Sequence, residues 1–530
     1  MQTQRQPRLP KAIDACILAV YTAMMGVILL CVLFFFERTS FFGKKAMLLP
    51  QWALLLLGAT ALLLLASPFF RVESAHPLPA RKGRARWLLK WAAVFAAQAS
   101  LCYFSYFICS WDPYDVTKNA YYIATGYTQY IDHHYFSMYP NNVTITAWHA
   151  ALMSLFNLLS PGAGFERQVL ILAFFQCAVS TTTGMLLERL ALRLTGSRRF
   201  TRLVTVVYVA WVGLSPWVTI PYSDSLALFF PLALLNLYDL SRRCGRSWLC
   251  WLSISALIAL GALIKPQTAI LPIALLLLEA IRLIRAKQIS GLLSRLACVL
   301  LAVWLGIGPG FRLLSRALPI ERDEDGSVGV LHYAMMGLNL STNGVFSGSD
   351  LLYSTQPGLT KSERTALQLQ MIKSRLAAMD LPVWRGHLIK KTLTNYADGT
   401  FAWGVDTGVE IEIADKDAVI SPFLKELFNP DSGRFCVYQS ACQGLWLSLL
   451  LFSLFSLRAY RALPAEDERF LLSTMLLTLV GSALFQTLFE ARSRYLMTFA
   501  PVYVLVGLLG VWSALALLRR ALQTCRAKER

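Results

Sequence analysis

The sequence predicts an all-α polytopic membrane protein, a bundle of about 12 transmembrane helices, and three observations carry that expectation. The 530-residue chain is 56% hydrophobic and only 15% charged, against about 25% charged residues in ordinary soluble domains; its mean hydropathy is +0.50. Many apolar stretches exceed the roughly 18 residues that a bilayer-crossing helix needs. The net charge of +19 falls mostly in short connectors between apolar blocks, which is the pattern of retention on the cytoplasmic side. Nucleic acid, the usual partner of so basic a soluble chain, is therefore not expected, whereas the lipid bilayer is. The eleven cysteines are scattered, mostly within apolar blocks, with no CxxC and no Cys/His ligand spacing.

Taken in order, the first apolar run follows Arg5, Arg8 and Lys11. It is too long for a signal peptide and reads as an uncleaved anchor. Helices are expected at 12–36 and 50–70, then a basic connector with Arg81, Lys82, Arg84 and Arg86, then a helix at 87–109 that exits on the outer side. Arg38, Lys44 and Lys45 then fall outside as well, a local breach of the positive-inside rule. The block 143–160 is laid flat as an interfacial amphipathic helix. Were it to span, Arg193, Arg198, Arg199 and Arg202 would end up outside, and Thr144, Thr146, His149 and Asn157 interrupt its apolar face. Spans follow at 203–219, 222–240, 248–264, 266–284 and 293–316, after one at 167–193. A polar segment, 317–438, sits outside, three more helices close the chain, and both termini are cytoplasmic. The expected division is a two-helix N-terminal membrane addition (1–86), a transmembrane core (87–316) that includes an outer loop (110–166), the outer segment (317–438), and C-terminal helices with a basic tail (439–530).

The stretch 110–142 stands apart from this apolar frame. It carries Asp112, Asp115, Asp132, His133 and His134 against one lysine, Lys118, with seven tyrosines and a turn Tyr139–Pro140–Asn141–Asn142. Once the helices are oriented, other polar motifs fall on the same side: Tyr222, Ser223 and Asp224 after Pro221; Lys265 before Pro266; His332 in HYAMMGLN; and Glu490, Arg492 and Arg494 in FEARSRYL. Ionisable groups beside membrane spans are costly and usually have a pairing or functional reason. A carboxylate can take the proton of an attacking hydroxyl, and arginine forks and lysine charges suit a phosphate. The plainer readings stand beside these. The aspartates can simply solvate a loop, Tyr222–Asp224 can be an ordinary helix cap, Lys265 can snorkel to the interface, the arginines can pair with Glu490, and the histidines can be hydrogen-bonding loop residues. No HExxH, Walker loop or dinucleotide fingerprint is present.

The order of these motifs resembles the GT-C superfamily, the polytopic glycosyltransferases that use polyprenyl-phosphate sugars. An Asp just after a helix (Asp112), a short helix ending at a glycine (Gly126), a proline-bearing turn (139–142), a juxtamembrane helix (143–160) and a membrane helix with a basic inner end (LERLALRLTGSRRF) follow one another here as they do there. The resemblance covers most of 87–520. It implies Asp112 as catalytic base with Asp115 as the alternative, and Lys265, Arg492 and Arg494 as contacts of the donor phosphate. A cleft would be lined by His133, His134, Tyr139, Asn141, Asn142, Tyr222, Asp224, His332 and Glu490. Pro113 stands where many protein O-mannosyltransferases and aminoarabinose transferases carry a second acid, which leaves the acceptor (glycan, lipid or protein) open. The implied activity is an inverting transfer of a sugar from a polyprenyl-phosphate donor to a hydroxyl on the outer face of a bacterial plasma membrane. A divalent metal, magnesium or manganese, would help neutralise the phosphate, although no metal ligand can be assigned. A transporter or flippase of a lipid-linked glycan is the alternative: it would use the same basic clamp without a carboxylate placed for chemistry.

Overall fold

The computed structural model describes residues 9–70, 80–105, 110–244, 247–406 and 420–528. The expected helix end at 106–109 and the connector residue Arg246 lie outside them, as do the side chains of Arg81, Lys82 and Arg526. Among the described residues every regular element is helical, so the all-α polytopic expectation holds. Nine helices there are long and apolar enough to cross a bilayer: Lys11–Phe35, Gln51–Phe70, Phe165–Thr195, Ser247–Ile264, Pro266–Arg285, Ile289–Ala317, Gly433–Ser453, Glu466–Leu488 and Ala500–Ala521. Their outward faces carry leucine, valine and tryptophan, as at Leu56, Leu64, Leu300 and Trp304, because in lipid an exposed apolar side chain costs nothing.

The other three expected spans are present in altered form. The helix Ala80–Phe104 precedes the loop expected at 110–166. The expected span at 203–219 is Arg198–Tyr208 running into a π-turn, Val209–Gly213, and then a 3-10 turn, Pro216–Thr219. The one at 222–240 is split into Ser223–Ala227 and Phe229–Ser241. Pro216 and Pro221 remove backbone donors at this break. The non-helical chain from Ser215 to Tyr222 is buried in protein throughout, the setting in which irregular backbone is tolerated at membrane depth. The break places Tyr222 and Asp224 at the start of the short helix Ser223–Ala227, both buried in the bundle.

Helix Asn142–Leu159 packs its face of Val143, Ile145, His149 and Met153 inward, against the helix Asp112–Thr125. It leaves Trp148, Leu155, Leu158 and Leu159 exposed.

Two regions are more deeply woven into the bundle than the sequence indicates. Residues 1–86 read as an addition, yet a Cβ at Gly58 would collide with the carbonyl of Gly444, so Gln51–Ala66 and Gly433–Ser453 touch backbone to backbone. Close approach through small residues is the usual basis of helix association in lipid. The buried Asp14 accepts hydrogen bonds from Tyr460 (2.7 Å) and Ser473 (2.6 Å) and ties the first helix to the C-terminal ones. In the segment 317–438, the helix Leu381–Tyr396 packs along Lys11–Phe35 and buries His387, Lys391 and Leu393.

Candidate functional site

The helix Asp112–Thr125 opens with Pro113 in its first turn and closes on Gly126 at φ +81°, a left-handed stop that glycine adopts without a steric penalty. Asp112 and Asp115 lie in the first turn, where the helix dipole favours negative charge. Tyr135 donates to Asp112 Oδ1 at 3.0 Å, and Tyr222 lies 3.2 Å from Oδ2. Asn142 Nδ2 donates to the Tyr135 hydroxyl at 2.5 Å, and its Oδ1 is 3.4 Å from the Tyr222 hydroxyl. Both oxygens of Asp112 are thus held by phenols, and Asn142 positions the phenols. Asp132 caps the short helix that delivers Tyr135, accepting from its backbone N–H at 2.9 Å.

The basic groups lie against this carboxylate assembly. The Arg494 guanidinium stacks 4.2 Å from the centre of the Trp111 ring, and Trp111 meets Tyr222 edge-on at 5.4 Å. Arg494 Nη1 is 3.9 Å from Asp224 Oδ2, and its Nε is 3.6 Å from Asp406 Oδ2. Lys265 makes a close ion pair with Asp224, both deeply buried. Arg492 pairs with Asp406 at 2.8 Å, lies 3.9 Å from Glu490, and stacks on Phe42 at 4.8 Å. Glu490 accepts from Tyr495 at 2.7 Å.

Lys391 sets this arginine loop in place. Its ammonium donates to the carbonyls of Gly337, Thr487 and Phe489 at 2.9, 2.8 and 2.7 Å, capping the end of Glu466–Leu488 just before Glu490. Gly337 is required there: a Cβ would come within 2.6 Å of the Phe489 carbonyl.

Charges from both sides act on the same phenols. Burial first, and then the charges of Asp112 and Glu490, push the Tyr139 phenol up to about 12. Tyr333 is raised by burial and next by Glu490 and Asp112. Both phenols therefore remain proton donors at neutral pH. Burial, then the neighbouring Asp112 and Asp132, push the Asp115 carboxyl up to about 6. Burial pulls the Lys391 ammonium down to about 7 against the opposing charge of Glu490.

The structure thus gathers Asp112, Tyr222, Asn142, Asp224, Lys265, Glu490, Arg492 and Arg494, with Tyr139 in the field of both acids and Asp115 one turn along the helix. Four predicted cleft residues stand elsewhere. His133 Nδ1 accepts from the Glu321 backbone at 3.1 Å, and His134 is exposed. The exposed Asn141 only donates to Asn142 (3.0 Å). His332 is buried on Ser354 Oγ at 2.9 Å, its imidazole pulled down to about 4 by burial. The reason is helix periodicity: in Gly329–Gly337, Tyr333 shares the field of the acids while its neighbour His332 faces Ser354. Sequence reasoning missed Tyr333, Tyr135, Trp111, Lys391 and Asp406. Tyr333 lay within a motif already singled out, and Trp111 beside Asp112. Asp406, in FAWGVD, carried no local signal. Among the described residues no group of three or more His, Cys, Asp or Glu is spaced to hold a metal ion.

A family model described as a conserved hypothetical integral membrane protein matches residues 9–515. The chain belongs to that family. No curated protein matches it. Among solved structures it is similar to the archaeal oligosaccharyltransferase AglB from Archaeoglobus fulgidus, determined in complex with an inhibitory peptide and a dolichol-phosphate. The TM-score is 0.37 and the identity 12%, over 83% of this chain and 51% of that one, so the chain spans about half the length of this relative.

Proposed function

We propose that this integral membrane protein is a glycosyltransferase that moves a sugar from a polyprenyl-phosphate donor to an acceptor hydroxyl. The reading rests on one observation: a carboxylate gripped by two phenols, Asp112, adjoins a basic group stacked on the neighbouring tryptophan, Arg494 on Trp111. The donor phosphate meets Arg494, Arg492 and Lys265. The acceptor hydroxyl binds beside Asp112, which takes its proton as the oxygen attacks the anomeric carbon. The bond from that carbon to the phosphate oxygen breaks, and polyprenyl phosphate leaves as an anion that the arginines stabilise. Because the leaving group is already charged, no strong general acid is needed, and direct displacement inverts the anomeric centre. Tyr222 and Tyr135 orient Asp112. The donor tail lies in the bilayer beside the interfacial helix, the site faces the outside of a bacterial plasma membrane, and both termini are cytoplasmic.

One observation favours the alternative, a transporter or flippase of a lipid-linked glycan: the helices broken at 209–228, a device transporters use to build midplane sites. Asp112→Asn separates the two. A transferase variant should lose about 100-fold or more in turnover while still binding the donor in a vesicle assay with radiolabelled polyprenyl-phosphate sugar. Unchanged transfer would sink the reading, and unchanged lipid movement without transfer in the wild type would favour the flippase.

A further inference from the structure

The clamp that the proposed donor phosphate would enter already has its counter-ions. Lys265, Arg492 and Arg494 face Asp224, Asp406 and Glu490 in ion pairs, three positive charges against three negative. A phosphate adds negative charge to a neutral and largely buried assembly, which is unfavourable unless one carboxylate gives way.

The three acids are not equally held. Asp224 lies against Lys265 in the buried chain break, and Glu490 is fixed by the Tyr495 hydroxyl at 2.7 Å. Asp406 sits at the end of a four-residue helix, Trp403–Asp406. Its side chain bridges the two arginines, Oδ1 to Arg492 at 2.8 Å and Oδ2 toward Arg494 at 3.6 Å. The second contact is too long to be a hydrogen bond, and Asp406 Oδ2, Arg494 Nε, Arg494 Nη1 and Arg492 Nε are all buried without hydrogen-bond partners, as is Asp224 Oδ2, whose other oxygen is locked to Lys265. Two oxygens set between two guanidinium groups imitate two oxygens of a phosphate, imperfectly, with donor capacity left over. The segment leading to Asp406 also carries local backbone strain: Phe401 and Ala402 are consecutive non-glycine residues at φ +58° and +61°, a region that L-residues enter at a cost, held here by burial and by the Asp398 carboxylate, which accepts from Thr400 and from the Ala402 backbone.

We infer that Asp406 is a stand-in for phosphate: its carboxylate holds Arg492 and Arg494 in register, and an incoming phosphate group, the donor's diester or the monoester it leaves behind, takes them over by displacing it. This rests on the donor-site reading above. Displacement lowers the apparent affinity of every phosphate by the fraction of molecules in which Asp406 has let go. A ligand whose phosphate cannot reach both arginines is then rejected, because it does not replace what it breaks.

The test is direct binding of farnesyl phosphate and of inorganic phosphate to the full-length protein in nanodiscs, wild type against Asp406→Asn, with thermal unfolding as a folding control. The variant should bind about tenfold more tightly. Equal tightening for both probes assigns the exchange to the phosphate group itself, and tightening for farnesyl phosphate alone assigns it to the lipid-borne phosphate; either supports the inference. Unchanged or weaker binding by the folded variant overturns it. If both proteins bind farnesyl phosphate equally, the exchange alone falls; if neither binds it, the donor-site reading falls too. Should Asp406→Asn fail to fold, a structure of the wild type with farnesyl phosphate decides. Arg492 still paired to Asp406 at hydrogen-bond distance would overturn the exchange, and a separated pair with phosphate between would establish it.

Discussion

The same helices carry ionic clusters at both ends, and the two ends are built differently. Glu468 opens the helix Glu466–Leu488 and Glu490 lies just past its close, roughly 33 Å apart at 1.5 Å per residue, about the thickness of a bilayer core. At the Glu468 end, Arg193 bridges Glu468 and Asp239, Arg243 reaches Asp239 at 3.0 Å, and Arg242 reaches Asp467 at 3.4 Å. Nearby, Glu279 accepts from Tyr238 at 2.8 Å and pairs with Arg282 and Arg295. These pairs tie together the ends of neighbouring helices. Buried atoms without a hydrogen-bond partner occur there too (Arg242 Nε, Arg282 Nε and Glu468 Oε2), but at the other end Arg494 approaches two carboxylates no closer than 3.6 Å and leaves both Nε and Nη1 without hydrogen bonds. Tightly closed pairs contribute to holding helices together; a loosely paired, desolvated cation retains capacity for an anion that is yet to arrive. The difference teaches that burial and charge alone do not mark a site, since both ends have them.

Substitutions can break this comparison. The largest effect is expected for Glu279→Gln, which leaves the buried Arg282 and the half-buried Arg295 against a neutral partner. A loss of about 3 kcal/mol in stability is expected, read by thermal unfolding in detergent, with donor binding unaltered in the protein that remains folded. If transfer vanished while stability held, the Glu468 end would be a site after all. Arg494→Gln should do the reverse: donor binding weakens by about tenfold to 100-fold, or 1.4 to 2.8 kcal/mol, with little change in unfolding temperature. Lys in its place should recover only part, because an ammonium lacks the planar fork and its stacking on Trp111. The smallest effect belongs to Asp115. Its carboxyl is raised to about 6 in the folded protein from an ordinary 3.8, so its contribution to stability is fully present below pH 3.8 and lost as pH rises through 6. Asp115→Asn should therefore stabilise the protein above pH 6, by about 1 kcal/mol once solvent screening of this half-exposed group is discounted, and should make no difference near pH 3.5. A stability profile unchanged by the substitution between pH 4 and 8 would show that Asp115 ionises freely.

Much of this molecule is legible from residue order because its signals are local. Bilayer-length apolar runs determine where the long helices lie, since each must satisfy its own backbone hydrogen bonds in lipid. Polar groups that break such runs (Asp112, Asp224, Lys265, Glu490, Arg492 and Arg494) stand out one by one, and the structure places them together. Other features depended on packing. Pro216 and Pro221 were visible, but only tertiary contacts could bury the broken chain that turns Tyr222 onto Asp112. A histidine drew notice at 332 because imidazole is chemically versatile, while helix geometry directed its neighbour Tyr333 toward the acids.

Asp406 shows the limit most clearly. By itself it is one aspartate in a stretch without periodicity, and its importance arises from Arg492 and Arg494, which are remote in sequence and adjacent in space. The sequence alone determined the membrane helices and the kinds of charge available, because helix formation in lipid is decided within each segment. Which charges meet, and how closely, was decided only by the tertiary structure, because a pair energy depends on a separation of a few ångströms that no local pattern encodes.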